Sequence, residues 1–320
     1  MLQDFLNSHS ISFEQDIKLS TKTWLRTGGI VNFWIIPDSI DKLIELIIHL
    51  QKNKIQYDIV GQTSNIYYLD SFDYSVIVST LHLNRYFENE EYIECECGSL
   101  VSKISRENVK KGYKGYYGLV NLPGTVGAAI VNNSSCFNCA VSSLMLKAEV
   151  LMLETLEVKD FLPSEFSYSH HSSLFKTNQI GVILKVYLKK EIGNISDEIE
   201  KSNQVTMIRK TTQEPAAHTL GSVCNHLVPN NNFRLFAVRI LLKLGKLFRI
   251  KNWTYKKLLL SFFGYRDLEA FISDKNLNTF IWLLDRDDLE EKFYRYKEFL
   301  SKVFKSYNFE IEVKDKKEHK

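Results

Sequence analysis

Two short glycine-bearing loops limit what this chain can become more than any other feature. The first, Gly61, Gln62, Thr63, Ser64 and Asn65, follows the apolar run Tyr57 to Val60, which reads as a buried strand; Asp70 comes five residues later. The second runs from Leu122 to Ala129, and its Gly124 and Gly127 flank a turn that opens a helix. Glycine lets a backbone approach a phosphate closely, and amides at a helix start favour an anion. Thr63, Ser64 and Thr125 add hydroxyl donors. With 14 Gly and 5 Pro among 320 residues, such clusters are not background. Neither loop fits the GxGxxG or GxxxxGK(S/T) pattern, so a Rossmann fold or a P-loop ATPase is not supported. Each loop taken alone is also compatible with an ordinary tight turn.

Around these loops strands and helices are mixed. Phe33 to Ile36 is an apolar run ended by Pro37, and Asp38 or Ser39 caps a helix with Ile40, Leu43, Ile44, Ile47 and Ile48 on one face. Ile93, Cys95 and Cys97 alternate with Glu94 and Glu96, the pattern of a half-solvated strand. A helix is predicted from about Leu100 to Gly112, a hairpin over Ala148 to Val158, and a strand from Gly181 to Leu188. A polar linker, Lys189 to Ser196, precedes a mostly helical region with helices near 197–210, 232–247 and 287–304. The last carries Leu289, Phe293, Tyr296, Leu300 and Val303 on one stripe. Phe309 to Val313 alternates as a closing strand, and Lys314 to Lys320 is a charged, frayed tail. The fold class is α+β, with domains over 1–194 (two α+β subdomains) and 195–320.

The 41 Lys+Arg and 38 Asp+Glu leave a net charge of +3, too small for a dedicated nucleic-acid binder. The N-terminus has no basic start followed by an apolar run, so it is not a secretory signal, and no apolar stretch approaches the roughly 20 residues that span a bilayer. A soluble, cytoplasmic protein without a membrane partner is expected. Five cysteines without an export signal should be reduced thiols; Cys136 and Cys139 have redox or half-zinc spacing, but no second pair completes a metal site, and no metal is expected. From Arg234 through Arg239, Lys243, Lys246, Arg249, Lys251, Lys256 and Lys257 no acidic residue occurs. That segment reads as a solvated helix face, with a diphosphate, a membrane surface or an acidic partner as the other possibilities.

In this order and spacing the loops resemble the UDP-N-acetylenolpyruvoylglucosamine reductase (UDP-N-acetylmuramate dehydrogenase) family. Thr23 to Gly29 and Pro37 to Ser39 look like its opening motif and first helix, Gly61 to Asn65 with Asp70 its glycine-rich loop, and Gly115 to Ala128 its proline-glycine-threonine loop. Glu165 to Lys176 resembles its serine-x-phenylalanine-lysine stretch, Gly221 to Val223 its catalytic serine motif, and Asn278 to Ile281, with the terminal helix and strand, its closing segment. The resemblance implies an FAD-binding domain of the vanillyl-alcohol-oxidase (PCMH) type, a smaller α+β substrate domain, and a monomer. It implies FAD and NADPH as cofactors, and a UDP-sugar enolpyruvyl ether as substrate, in peptidoglycan precursor synthesis. The cofactor would be held by Gly61, Gln62, Thr63, Ser64, Asn65, Gly115, Pro123, Gly124, Thr125, Gly127 and Ala128. Ser222 would be the proton donor, with His171 at the family's arginine position and Glu312 as the glutamate that acts with that arginine on the enolate.

That reaction needs a hydride donor, a group that stabilises an enolate, and an acid for the α-carbon. The departures fall on the second of these. Aligned back from Ser173, Phe175 and Lys176, His171 stands at the arginine and His170 at the preceding tyrosine; a two-residue gap would pair Tyr168 and Ser169 with them instead. An imidazole near neutrality is a poor replacement for a permanent, forked guanidinium. Glu312 is the nearest match to the closing glutamate, and Lys314 competes for the place. Gln62, Thr63 and Asn121 replace glycines, and Cys224 and Asn225 replace a phenylalanine and a lysine. A working reductase with a rearranged site, a flavoprotein acting on another nucleotide sugar, and a non-catalytic flavin binder all remain open.

Overall fold

The computed structural model describes residues 1–215, 219–230, 233–247, 254–283 and 287–314. The chain forms two compact units. The first comprises Met1–Thr23, Gly29–Ser64 and Asp73–Arg209; the second comprises Trp24–Gly28, Asn65–Phe72 and Lys210–Lys320. The chain therefore passes finally into the second unit at Arg209, where the sequence reading places the change near 195. The linker residues after Lys189 lead into the helix Ile195–Thr212, most of which belongs to the first unit. Arg249, Lys251 and the tail after Lys314, singled out above for their charge, lie outside the described residues.

The first unit holds two sheets. One has the strand order Ser12–Lys18, Ile30–Ile36, Tyr74–Ser79, Asp58–Val60; its first pair is antiparallel and the others parallel. A parallel neighbour requires a crossover. The helix Ile40–Lys52 supplies it, its start fixed by the Ser39 hydroxyl, which accepts from the Lys42 amide at 3.3 Å. Leu43, Leu46, Ile47 and Leu50 of this helix are fully buried. The other sheet is antiparallel throughout, in the order Val158–Phe161, Met145–Met152, Gly181–Lys189, Tyr92–Glu96, Tyr86–Glu88. Ile93 and Cys95 face inward and their glutamate neighbours outward, as the alternation predicts. One contiguous apolar cluster, from Leu6 through Val78 to Leu188, underlies both sheets. The α+β class is thus observed.

On that antiparallel sheet's edge strand, Glu88 receives Lys111 Nζ at 2.6 Å and Lys190 Nζ at 3.0 Å, together with the Tyr113 hydroxyl. Partial burial alone would raise its carboxyl; these donors outweigh it and hold the group down at about 2. A depressed carboxylate stabilises the folded state above its unfolded pKa and loses that contribution as pH falls through its folded value. Chemical denaturation is therefore expected to show stability falling between about pH 4.5 and about 2, by on the order of 1–3 kcal/mol. Glu88→Gln should flatten that slope; an unchanged slope would show that other carboxylates set it.

The second unit is built on aromatic packing. The helix Leu289–Val303 buries Leu289, Phe293, Tyr296, Phe299, Leu300 and Val303, the predicted stripe with Phe299 added. Around it stand Trp282, Phe280 and Tyr67, with ring centroids 4.8 Å apart for Phe280–Trp282 and 5.0 Å for Tyr67–Phe293. The expected closing strand over 309–313 is split. Phe304–Phe309 pairs antiparallel with Cys224–Pro229, whereas Glu312–Lys314 pairs parallel with Ile66–Tyr68. Each half satisfies its backbone on a different partner, so the chain must turn between them at Glu310 and Ile311.

Candidate flavin cradle and catalytic groups

Within the first unit the two glycine loops meet. Asp58–Val60 delivers Gly61 to Ser64, and the Gln62 side chain accepts a 2.7 Å hydrogen bond from the Gly124 amide. Gly61 lies against Thr125 so closely that a Cβ there would stand 2.2 Å from Thr125 Oγ1 and 2.9 Å from its Cγ2. Gly124 has φ +115°, a conformation that only glycine adopts readily, and its open face is toward Ser64 Oγ. Thr125 is buried, yet among the described residues its Oγ1 has no hydrogen-bond partner. A buried hydroxyl without a partner is costly, by about 1–3 kcal/mol, unless something absent from the chain satisfies it. Thr63, at a position where the resemblance has glycine, is buried at φ +54°, a strained conformation for a β-branched residue.

The helix Val126–Val131 behaves differently from the expectation that its first amides point to an anion. Val126 N donates to Ser99 O and Gly127 N to Cys97 O, both at 2.8 Å, so these amides are committed to the neighbouring strand end. Gly127 packs on Cys97 and Gly115 on Leu144; both glycines serve packing beneath the cradle. Pro123 and Ala128 are half-buried, one in the loop and one on the helix. Asn65 belongs to the second unit, where its Nδ2 donates to Glu310 O at 2.9 Å and its carbonyl accepts from Glu312 N at 2.9 Å. Asp70 likewise works in the second unit, accepting from the Gly28 amide at 2.6 Å. The structure therefore brings Gly61, Gln62, Ser64, Gly124 and Thr125 together. Asn65 and Asp70 are engaged by these bonds within the second unit.

His170 and His171 occupy a tight turn, their rings edge to face at 4.3 Å between centroids. Ser169 and Ser172 close the turn by exchanging backbone hydrogen bonds of 3.0 and 3.3 Å. Ser173 Oγ donates to Val131 O at 2.6 Å, and Asn133 Nδ2 to Ser169 O at 2.7 Å. This fastens the histidine turn to the far end of the six-residue helix that Thr125 begins, about 9 Å along its axis. Lys176 Nζ reaches His171 O at 3.5 Å, placing a permanent cation in the turn.

In the second unit Ser222 is exposed, and among the described residues its hydroxyl makes no hydrogen bond. Its backbone is held on both sides. Thr219 Oγ1 accepts from Gly221 N at 3.0 Å, while buried Asn278 accepts from Cys224 N at 3.0 Å through Oδ1 and donates through Nδ2 to Cys224 O. The Asn278 carbonyl also accepts from Val223 N at 2.9 Å. The sequence marked Asn278 only as part of a weak closing motif; a buried amide facing the serine strand is not visible from spacing. Glu312 and Lys314 are alternate residues of one short strand and so share a face, with Val313 on the other. Asn278→Ala is expected to cost on the order of 2–3 kcal/mol by stranding the Cys224 amide and carbonyl. Turnover should fall while flavin content stays unchanged; loss of flavin in step with activity would show a global defect instead.

Residues 31–156 match the family described as FAD binding domain, a span containing both loops. The protein is an FAD-binding oxidoreductase. UDP-N-acetylenolpyruvoylglucosamine reductase of Caldicellulosiruptor saccharolyticus is 29% identical over 230 residues, covering 71% of this chain and 73% of its own. That of Prochlorococcus marinus is 26% identical over 226 residues, 70% and 76% of the two chains. The crystal structure of the Thermus caldophilus reductase shares the fold, with a TM-score of 0.67 over 95% of this chain and 99% of that one at 19% identity. These likenesses make the chain a divergent relative of the UDP-N-acetylenolpyruvoylglucosamine reductases.

Proposed function

We propose that the protein is an FAD-dependent reductase of UDP-N-acetylglucosamine enolpyruvate, with NADPH as electron source, in peptidoglycan precursor synthesis. The observation that carries this reading is the cradle: two loops joined through Gln62 and Gly124 around a buried Thr125 hydroxyl that lacks a partner among the described residues. FAD, when bound, supplies the hydride for the β-carbon of the enol ether. Gly61, Gln62, Thr63, Ser64, Gly124 and Thr125 hold it. Ser222, its hydroxyl uncommitted among the described residues, gives a proton to the α-carbon, and Glu312 lies in the same unit. His171 stands where the family has arginine, and Lys176, fixed on the same turn, supplies the permanent charge that a neutral imidazole lacks. The first unit is the flavin-binding unit and the second the substrate-binding unit.

The purified protein is expected to be yellow and to release FAD on heat denaturation. NADPH oxidation should accelerate when the UDP-sugar is added. A colourless protein that takes up no added FAD would overturn the reading. A yellow protein whose NADPH oxidation ignores this substrate would favour another nucleotide sugar, for which the His171 replacement is the motivating observation. Lys176→Met should slow substrate reduction more than His171→Gln does if the lysine carries the charge.

A further inference from the structure

The helix Phe233–Leu247 is apolar on two opposite faces. Leu235 and Val238 point into the second unit and are 3% and 0% exposed. Phe233, Phe236, Ile240 and Leu244 are 81%, 59%, 42% and 41% exposed. Steps of three and four residues place these four on one continuous stripe. At 3.6 residues per turn Arg234 falls to one side of that stripe, and Arg239 and Lys243 fall to the other. All three cations are exposed, and among the described residues none has a carboxylate partner; Arg234 only lies over the Phe263 ring, at 5.7 Å. No Asp or Glu occurs anywhere between Asn230 and Tyr265. A merely solvated face would not collect two phenylalanines, an isoleucine and a leucine in one line. No described helix is long and apolar enough to cross a membrane, so this one can only lie along a surface.

We propose that this face seats the protein on an anionic lipid bilayer. Phe233, Phe236, Ile240 and Leu244 enter the boundary between headgroups and acyl chains, while Arg234, Arg239 and Lys243 meet the lipid phosphates. Charge complementarity selects this occupant: cations with no carboxylate partner among the described residues border the apolar stripe on both sides, and long basic side chains extend to the headgroups while their stems stay in apolar surroundings. An apolar protein groove would leave these cations without partners.

The test is co-sedimentation of the full-length protein with vesicles of phosphatidylcholine alone, or of phosphatidylcholine containing phosphatidylglycerol. Binding is expected only to the anionic vesicles and should weaken as salt rises. The triple substitution Arg234→Gln, Arg239→Gln and Lys243→Gln should lower the partition coefficient on the order of 100-fold. Phe236→Ser with Ile240→Ser should lower it by about tenfold or more. These residues are exposed, so far-UV circular dichroism should match the parent. Equal binding to neutral vesicles would overturn the proposal, as would absence of binding to either kind. A concentration-dependent dimer that the Phe236→Ser, Ile240→Ser variant abolishes, with no vesicle binding, would assign the stripe to a second copy of the chain.

Discussion

Gly61→Ala is expected to give a folded but colourless protein, with flavin affinity reduced about tenfold to a hundredfold. The added methyl would overlap Thr125 Oγ1 at 2.2 Å, and because Cγ2 and Cβ stand at 2.9 and 3.1 Å, the loops must separate. Overpacking of this kind costs about 1–3 kcal/mol. Here it acts on the contact that closes the cradle. The measurement is an FAD titration followed by flavin fluorescence. A variant binding FAD as tightly as the parent would remove these loops from the cofactor site. The pair Gly61→Ala, Thr125→Ala separates shape from chemistry. It removes the 2.2 and 2.9 Å overlaps and leaves one tight 3.1 Å contact with Thr125 Cβ, so most of the stability should return; affinity should stay low if the Thr125 hydroxyl is itself a cofactor ligand.

Ser222→Ala should separate the two half-reactions. Reduction of bound flavin by NADPH should proceed at the parent's rate, because the serine has no part in it. Oxidation of the reduced flavin by the UDP-sugar should slow by roughly 10²–10⁴, the usual contribution of a placed general acid. Single-turnover absorbance follows both steps. The exposed hydroxyl, uncommitted among the described residues, makes the substitution structurally mild, so a large effect reports on proton delivery. An unchanged oxidation rate would remove Ser222 from the reaction.

Some of this was legible in the residues and some was not, for reasons of range. The Ile93–Cys95 alternation and the Leu289 to Val303 stripe follow from local periodicity, and both were recovered with the correct faces. The glycine loops were also readable, since few residue types fit such turns. What escaped was decided by partners far away in sequence. Phe309 to Val313 alternates without a break, yet its two ends belong to different sheets. The Val126 and Gly127 amides look available until Ser99 and Cys97 are folded against them. Nothing local in Cys224 to Pro229, which carries Asn225 and His226, announces a strand; its pairing with Phe304–Phe309 makes it one.

The way the chain shuttles between its units also bears on how it is made. Trp24–Gly28 and Asn65–Phe72 leave the ribosome early, but their partners come near the far end: Asn65 binds Glu310, 245 residues later, and Ile66–Tyr68 awaits Glu312–Lys314. Until then Leu25, Tyr67 and Leu69 have no core to enter, since that core is largely Phe271, Phe280, Trp282 and Phe293. Ring closure over such a separation is slow, and the waiting apolar segments are open to wrong pairings. Nascent chains stalled before Phe280 should therefore hold a protected first unit around a protease-sensitive Asn65–Phe72, making this short segment a natural client for a chaperone during synthesis.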